Sequence, residues 1–151
     1  MTLRRINARD IIVQVRAADG VTWLGIKDLT SIVPKPGESE ETAETTTVDS
    51  AGNAEEEIMQ RGYAMDIEAL KVLDHLTGAP DPGQARCEDL ATKVGYESLG
   101  ALRFRHPLDA VWKVWAEATF SPGDQGGGVN DKGAWKFTVK RSGPTTTMTA
   151  P

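Results

Sequence analysis

The side chains able to do chemistry in this chain are few and widely scattered. Its two histidines, His75 and His106, each sit beside loop signals, and neither belongs to a spaced Cys/His set of the kind a structural metal uses. The one cysteine, Cys87, falls on the apolar stripe of a helical pattern, which reads as a small core residue; it would meet His106 as a nucleophile pair only if the fold happened to bring them together. Asp66 and Glu68 are two apart on a strand pattern and so share a face, the spacing of paired carboxylates. On a polar strand face, however, such groups are usually solvated or opposite a lysine. The GDQGGG at 123–128 has the glycines of a phosphate loop but lacks the Lys-Ser/Thr ending and opens no helix. Trp112 and Trp135 could form a sugar platform, yet both lie on apolar strand faces and read as core. Trp115 alternates with Lys113 and Glu117 instead, so an exposed indole at a protein interface or against the helix is expected there. The residues thus assemble no catalytic set, no metal site and no cofactor site, and the expectation is a protein that is not an enzyme.

A different feature stands out: the run 34–57, PKPGESEETAETTTVDSAGNAEEE. From residue 37 onward it holds eight acids and neither Lys nor Arg. The whole chain carries a net charge of −5, so without these eight the remainder is −5 + 8 = +3, a mildly basic body with an acidic arm. That excess is too small for an electrostatic nucleic-acid footprint. A polar connection this long is costly unless something orders it. Its middle is rich in Thr and carries Val48, residues that favour strands. An arm that can form strands but cannot bury itself suggests a partner, and another copy of the chain is the first candidate. A single cysteine excludes an internal disulfide and fits folding in a reducing cytosol. The N-terminus MTLRRINARD lacks the apolar stretch of a secretory signal, and no apolar run is long enough to span a membrane, so no membrane insertion is expected.

One domain over 1–151 is expected, with an N-terminal segment 1–10, the extended arm 34–57 and a flexible C-terminal tail 142–151. Residues 11–17 and 21–29 alternate as two strands around the Ala-Asp-Gly turn at 18–20, and 31–33 ends at Pro34 and Pro36. Residues 58–73 alternate for about twice a usual strand length, with a bend expected at Gly62. Asp81, Pro82 and Gln84 form a helix start. Cys87, Leu90, Ala91 and Val94 make its apolar stripe, and Gly95 marks its stop, giving a helix over about 82–94. Strands follow at 99–105, 110–120 and 134–141, the last two separated by a glycine-rich loop. The fold class is mainly β: two packed antiparallel sheets, sandwich or barrel, with one flanking helix and a long acidic hairpin arm.

The order of these features resembles the major tail proteins, or tail tube proteins, of long-tailed bacteriophages, relatives of type VI secretion tube proteins. The segments that carry the likeness are TWLGIKDLTSIVPKPGESEE, TTTVDSAGNAEEEIMQRGYAMDIEAL, GAPDPGQARCEDLATKVG, LRFRHP and GAWKFTVKRSG, together about residues 10–143. The resemblance implies hexameric rings stacked into a hollow, non-contractile tube in the virion tail, assembled in the host bacterial cytoplasm. It implies a lumen that holds a tape-measure protein and then passes double-stranded DNA, with tail-tip and terminator proteins as further partners. The arm residues Glu38, Glu40, Glu41, Glu44 and Asp49 would then mediate self-assembly, docking on Arg4, Arg5 and Arg9 or on Lys136, Lys140 and Arg141 of a neighbour. Gln60, Asp66 and Glu68 are the expected lumen-facing residues, since a bore that passes DNA should not attract phosphate. The rival readings are a carbohydrate- or receptor-binding β-sandwich that uses Trp115 and the 121–133 loop, and a small enzyme that uses Cys87 or the Asp66/Glu68 pair.

Overall fold

Apolar alternation with a period of two builds the body of this protein, seen here as a computed structural model describing residues 1–150. In β1 (Ile12–Arg16) Val13 and Val15 point inward. Met65, Ile67 and Ala69 do so in β6 (Ala64–Leu70), Leu102 and Phe104 in β7 (Gly100–Arg105), and Trp135, Phe137 and Val139 in β9 (Ala134–Arg141). With β2 (Trp23–Gly25), β3 (Leu29–Lys35), β8 (Val111–Pro122) and β10 (Thr145–Thr149), these form one antiparallel sheet ordered β2-β1-β7-β8-β9-β6-β3, with β10 also on β8. The sheet curls around a single apolar cluster without closing into a barrel. A helical turn at Ala8–Asp10, just ahead of β1, touches β3, so the two wings of the sheet approach each other. The acidic arm forms a second, two-stranded sheet of β4 (Glu41–Glu44) and β5 (Glu56–Gln60).

The helix α1 (Pro82–Ala91) packs on β1, β2 and β8. Asp81 caps it, its carboxylate accepting from the Gln84 backbone N–H at 3.2 Å. Gly83 is required by proximity, since a Cβ there would lie 2.4 Å from the Gly25 carbonyl oxygen. Gln84 is fully buried and joins three segments. Its Nε2 donates to the Leu70 and Lys27 carbonyls at 2.9 and 3.3 Å, and its Oε1 accepts from the Val72 N–H at 3.3 Å. Glu88 adds a link to the sheet by accepting from Lys71 Nζ and from Trp135 Nε1. Gln84→Leu strands two carbonyls and one N–H in the interior and is expected to cost about 3 kcal/mol or more. Urea unfolding with an unchanged slope would register that loss.

Several sequence expectations are corrected here. The long strand over 58–73 is two strands, β5 and β6, broken at 61–63 where the chain before β4 crosses it. Gly62 allows that crossing, because a Cβ there would sit 2.3 Å from the Glu38 carbonyl oxygen. The helix stops at Ala91 rather than Val94: Thr92 turns back onto the Asp89 carbonyl through both its N–H and its hydroxyl, and Val94 is 88% exposed. The second strand of the first hairpin is only the three residues of β2, because from Leu29 the chain leaves β1 and pairs with β6. Pro34 does not end β3, which is an edge strand where a missing N–H is tolerated. The tail expected to be flexible contains β10, whose β-branched threonines pair with Val111–Trp115 of β8 after a swing at Gly143, φ +93°. The last residue of that tail, Pro151, lies outside the described residues.

Trp115 is the largest correction. It is 0% exposed, with its ring centroid 5.0 Å from that of Tyr63 in a tilted contact and 5.5 Å from that of Phe104 in an edge-on one, inside the core rather than at a surface. The cause is a bulge. Between the pairs Leu102↔Trp115 and Gly100↔Ala118, two steps on β7 oppose three on β8, which reverses the inward face along β8. Trp112 and Val114 therefore face outward before the bulge, while Ala118 and Phe120 face inward after it.

Candidate functional site

Three surfaces of the described residues have features that a partner could use. The first is the arm. Its hairpin is held by local hydrogen bonds: Thr46 Oγ1 accepts from the Glu55 N–H at 2.8 Å, and Thr45 N–H donates to the Glu55 carbonyl at 3.0 Å. At its tip Thr47 and Ser50 bond each other across a short helical turn, Val48–Ser50. Almost nothing in it is buried, and Ile58 and Met59 are exposed. A lone two-stranded ribbon of this kind has little stability of its own. Glu44 lies directly opposite Glu56, a like-charge pairing that works against it. Among the described residues, Glu40 is the one acid of the arm in an ion pair, with Arg61 at 3.8 Å.

At the base of the arm, β5 and β10 diverge where β6 and β9 had been paired, leaving a cleft of about 640 Å³ lined in part by Gln60, Tyr63, Lys140 and Arg141. Gln60 sits here, its side-chain amide donating to the Ser39 carbonyl. Arg141 is committed within the chain: its guanidinium donates to Thr145 Oγ1 at 2.6 Å and to the Arg61 carbonyl at 3.4 Å. Among the described residues, no strand lies beside the edge of β10 away from β8.

The second surface is the outer face of β3, β6 and β9. Asp66 and Glu68 do share it, but so do Lys35, Lys136, Thr138 and Lys140, because paired positions of adjacent strands point the same way. Lys35 Nζ lies 2.7 Å from Asp66, Thr138 donates its hydroxyl to Asp66 at 3.0 Å, and Lys136 lies 3.8 Å from Glu68. Asp66 and Glu68 were expected on a face apart from Lys136 and Lys140; the strands put all four on one face, and Gln60 lies apart from it on β5. The hydrogen bond from Lys35 holds the Asp66 carboxyl below its ordinary range, and Asp66 correspondingly raises Lys35. A carboxyl lowered by folding stabilises above its unfolded value of about 3.9, and that stabilisation is lost as pH falls through the folded value. Asp66→Asn is therefore expected to lower the monomer's melting temperature slightly at neutral pH, as is usual for an exposed pair, and not at all below the folded value, so that the acid limb flattens by that small amount.

The third surface was not anticipated. On the outer face of β2, β1, β7 and β8 the guanidinium of Arg103 lies 4.4 Å from the Trp23 ring centroid and 4.2 Å from that of Trp112. Arg16 lies over Trp23 at 5.9 Å and Arg105 over Trp112 at 4.9 Å. The result is a ladder, Arg16–Trp23–Arg103–Trp112–Arg105, of alternating cations and indoles. Gln14 fixes Arg103 by accepting from its Nε at 2.7 Å. The only trace in the sequence is Arg103 and Arg105 alternating with inward Leu102 and Phe104. Trp23 and Trp112 join them through strand pairing across distant segments.

Cys87 is in the core, where desolvation pushes its thiol far up, so it offers no thiolate at neutral pH. His106 is a turn residue whose Nδ1 accepts from the Leu108 N–H at 3.1 Å.

No protein-family model matches the sequence, and no curated protein matches it significantly. Solved structures do share the fold. A chain from the tail of an empty gene transfer agent particle, refined with C6 symmetry, superposes with a TM-score of 0.70 at 14% identity, over 95% of this chain and 99% of that one. A chain of the native gene transfer agent virion gives 0.63 at 13% identity over 95% and 99%. A chain of the sheath-tube complex of an extracellular contractile injection system gives 0.58 at 14% identity over 97% and 93%.

Proposed function

We propose that this chain is a tail-tube subunit, a structural protein rather than an enzyme, which self-assembles into stacked hexameric rings forming a hollow tube for DNA delivery. The observation that carries the reading is the likeness to a chain of a particle tail refined with C6 symmetry, which spans 95% of this chain and 99% of that one. The open β10 edge and the unsupported acidic hairpin support it, since both gain partners only in an assembly. Contacts between unlike surfaces generate rings and stacks rather than two-fold dimers. The polar face of β3, β6 and β9 suits the bore: its two carboxylates are paired with Lys35 and Lys136, so with Lys140 it carries a net charge of only about one and does not grip phosphate strongly. A tape-measure protein within the bore and terminator and tip proteins at its ends are the partners such a tube requires. The tube would lie in the virion tail after assembly in the host cytoplasm. The sandwich-module alternative loses its anchor, because Trp115 is in the core.

Negative-stain electron microscopy of the purified protein at rising concentration, beside a sizing run, tests the proposal. Rings or tubes with six-fold end views are expected. A stable two-fold dimer as the final species would overturn it.

A further inference from the structure

We infer that the Arg–Trp ladder is the docking surface for the acidic β4–β5 hairpin of a second copy of this chain; the inference rests on the tube reading and assigns its arm a receptor. Both surfaces are electrostatically unfinished, and with opposite sign. Among the described residues Arg16, Arg103 and Arg105 have no carboxylate within ion-pair distance; Arg4, Arg5, Lys27, Lys113, Lys132, Lys140 and Arg141 share that state, but only the ladder arginines line up in one row with two indoles. On the hairpin every acid but Glu40 is likewise unpaired. The ladder also carries its cations at a cost, since partial desolvation, then the charge of Arg105, weakens Arg103's hold on its proton. A docked anion would offset that cost.

The stacking identifies the kind of anion. Each indole already has two guanidinium groups within about 6 Å of its centroid, which compete with a nucleobase or a sugar for its faces. The N–H edges of stacked guanidiniums can still donate to carboxylates lying in their plane, and stacking fixes their orientation in advance. Met148, 40% exposed and 3.1 Å from Arg103, supplies an apolar patch beside the ladder to meet the exposed Ile58 and Met59 of the hairpin. On the last strand Lys136 is paired with Glu68, while Lys140 is as free of carboxylates as the ladder arginines among the described residues; Arg141 donates within its own chain, as Arg105 does to the Pro107 and Asp109 carbonyls, and what sets the ladder apart is its three guanidiniums held in one row with two indoles.

The test mixes two full-length single-cysteine additions, Glu44→Cys on the hairpin and Met148→Cys beside the ladder, under assembly conditions with a short bismaleimide. The buried Cys87 stays unreactive. A hairpin-to-ladder cross-linked dimer is expected from the mixture and from neither variant alone. In parallel, Arg16→Glu is expected to reduce tube yield at least ~tenfold, with Glu44→Lys in the same chain restoring most of it. Arg103→Lys, which keeps the charge but loses the planar fork, should reduce it less; melting curves check that each variant is folded. Tubes that form without the cross-link, and equally well with Arg16→Glu, would overturn the docking and leave the tube reading intact. Absence of rings and tubes from the parent protein as well would remove both. Retention of duplex DNA by the parent that Arg16→Glu abolishes while tube yield stays unchanged would make the ladder a nucleic-acid surface and overturn the docking.

Discussion

Trp115→Ala is expected to lower the unfolding free energy of the monomer by about 3–5 kcal/mol. That corresponds to a fall in melting temperature of roughly 6–20 °C for a domain of this size. The indole is fully buried, and removing it empties the space between Tyr63 and Phe104. An interface tryptophan would behave differently: the monomer would melt normally and only assembly would fail. Thermal melting of the dilute monomer separates the two cases, and an unchanged melting temperature would contradict the bulge on β8. Trp115→Phe should be milder than the alanine change. It keeps most of the volume and removes an indole N–H that is buried without an acceptor.

Charge reversal on the arm should give the opposite result. Glu40→Lys, Glu41→Lys and Glu44→Lys together are expected to leave the monomer's stability within about 0.5 kcal/mol, as for other exposed sites. The Glu40–Arg61 pair is long at 3.8 Å, and the like-charge pairing of Glu44 with Glu56 is relieved. Assembly should fall by about 10- to 100-fold, from three contacts of roughly 0.2–1 kcal/mol each turned from attractive to repulsive. Pelleted tube yield against concentration measures it. Unchanged yield would remove the arm from the assembly mechanism, and lost monomer stability would mean the hairpin supports the body.

Local chemistry was legible in the sequence, while register was not. The Asp81-Pro82-Gln84 start produced the helix cap, and strict alternation in 134–141 put Trp135, Phe137 and Val139 in the core. The bulge in β8 escaped because a constant period of two carries Trp115 to the polar side, and nothing in VWKVWAEA signals an extra residue. Strand β10 escaped because TTTMT lacks an apolar face; it is ordered by backbone pairing to β8, not by burial. The candidate surfaces depended on strand neighbours. That Lys136 lies opposite Glu68, or that Trp23 reaches Arg103, follows only from a sheet order that joins distant parts of the chain.

That sheet order also governs how the chain is made. β1 emerges early but pairs on its longer side only with β7, so Gln14 waits for Arg103, 89 residues later. β6 likewise waits for β9. During synthesis Val13, Val15, Met65 and Ile67 are all displayed before the strands that cover them exist, and folding dominated by such distant pairings is slow. The eight acids of the arm lie between these two sets of exposed residues. Charge repulsion between neighbouring nascent chains at that stage would keep their half-built sheets from zipping together. The same carboxylates would then guard against premature association and, once the body has folded, guide the ordered kind.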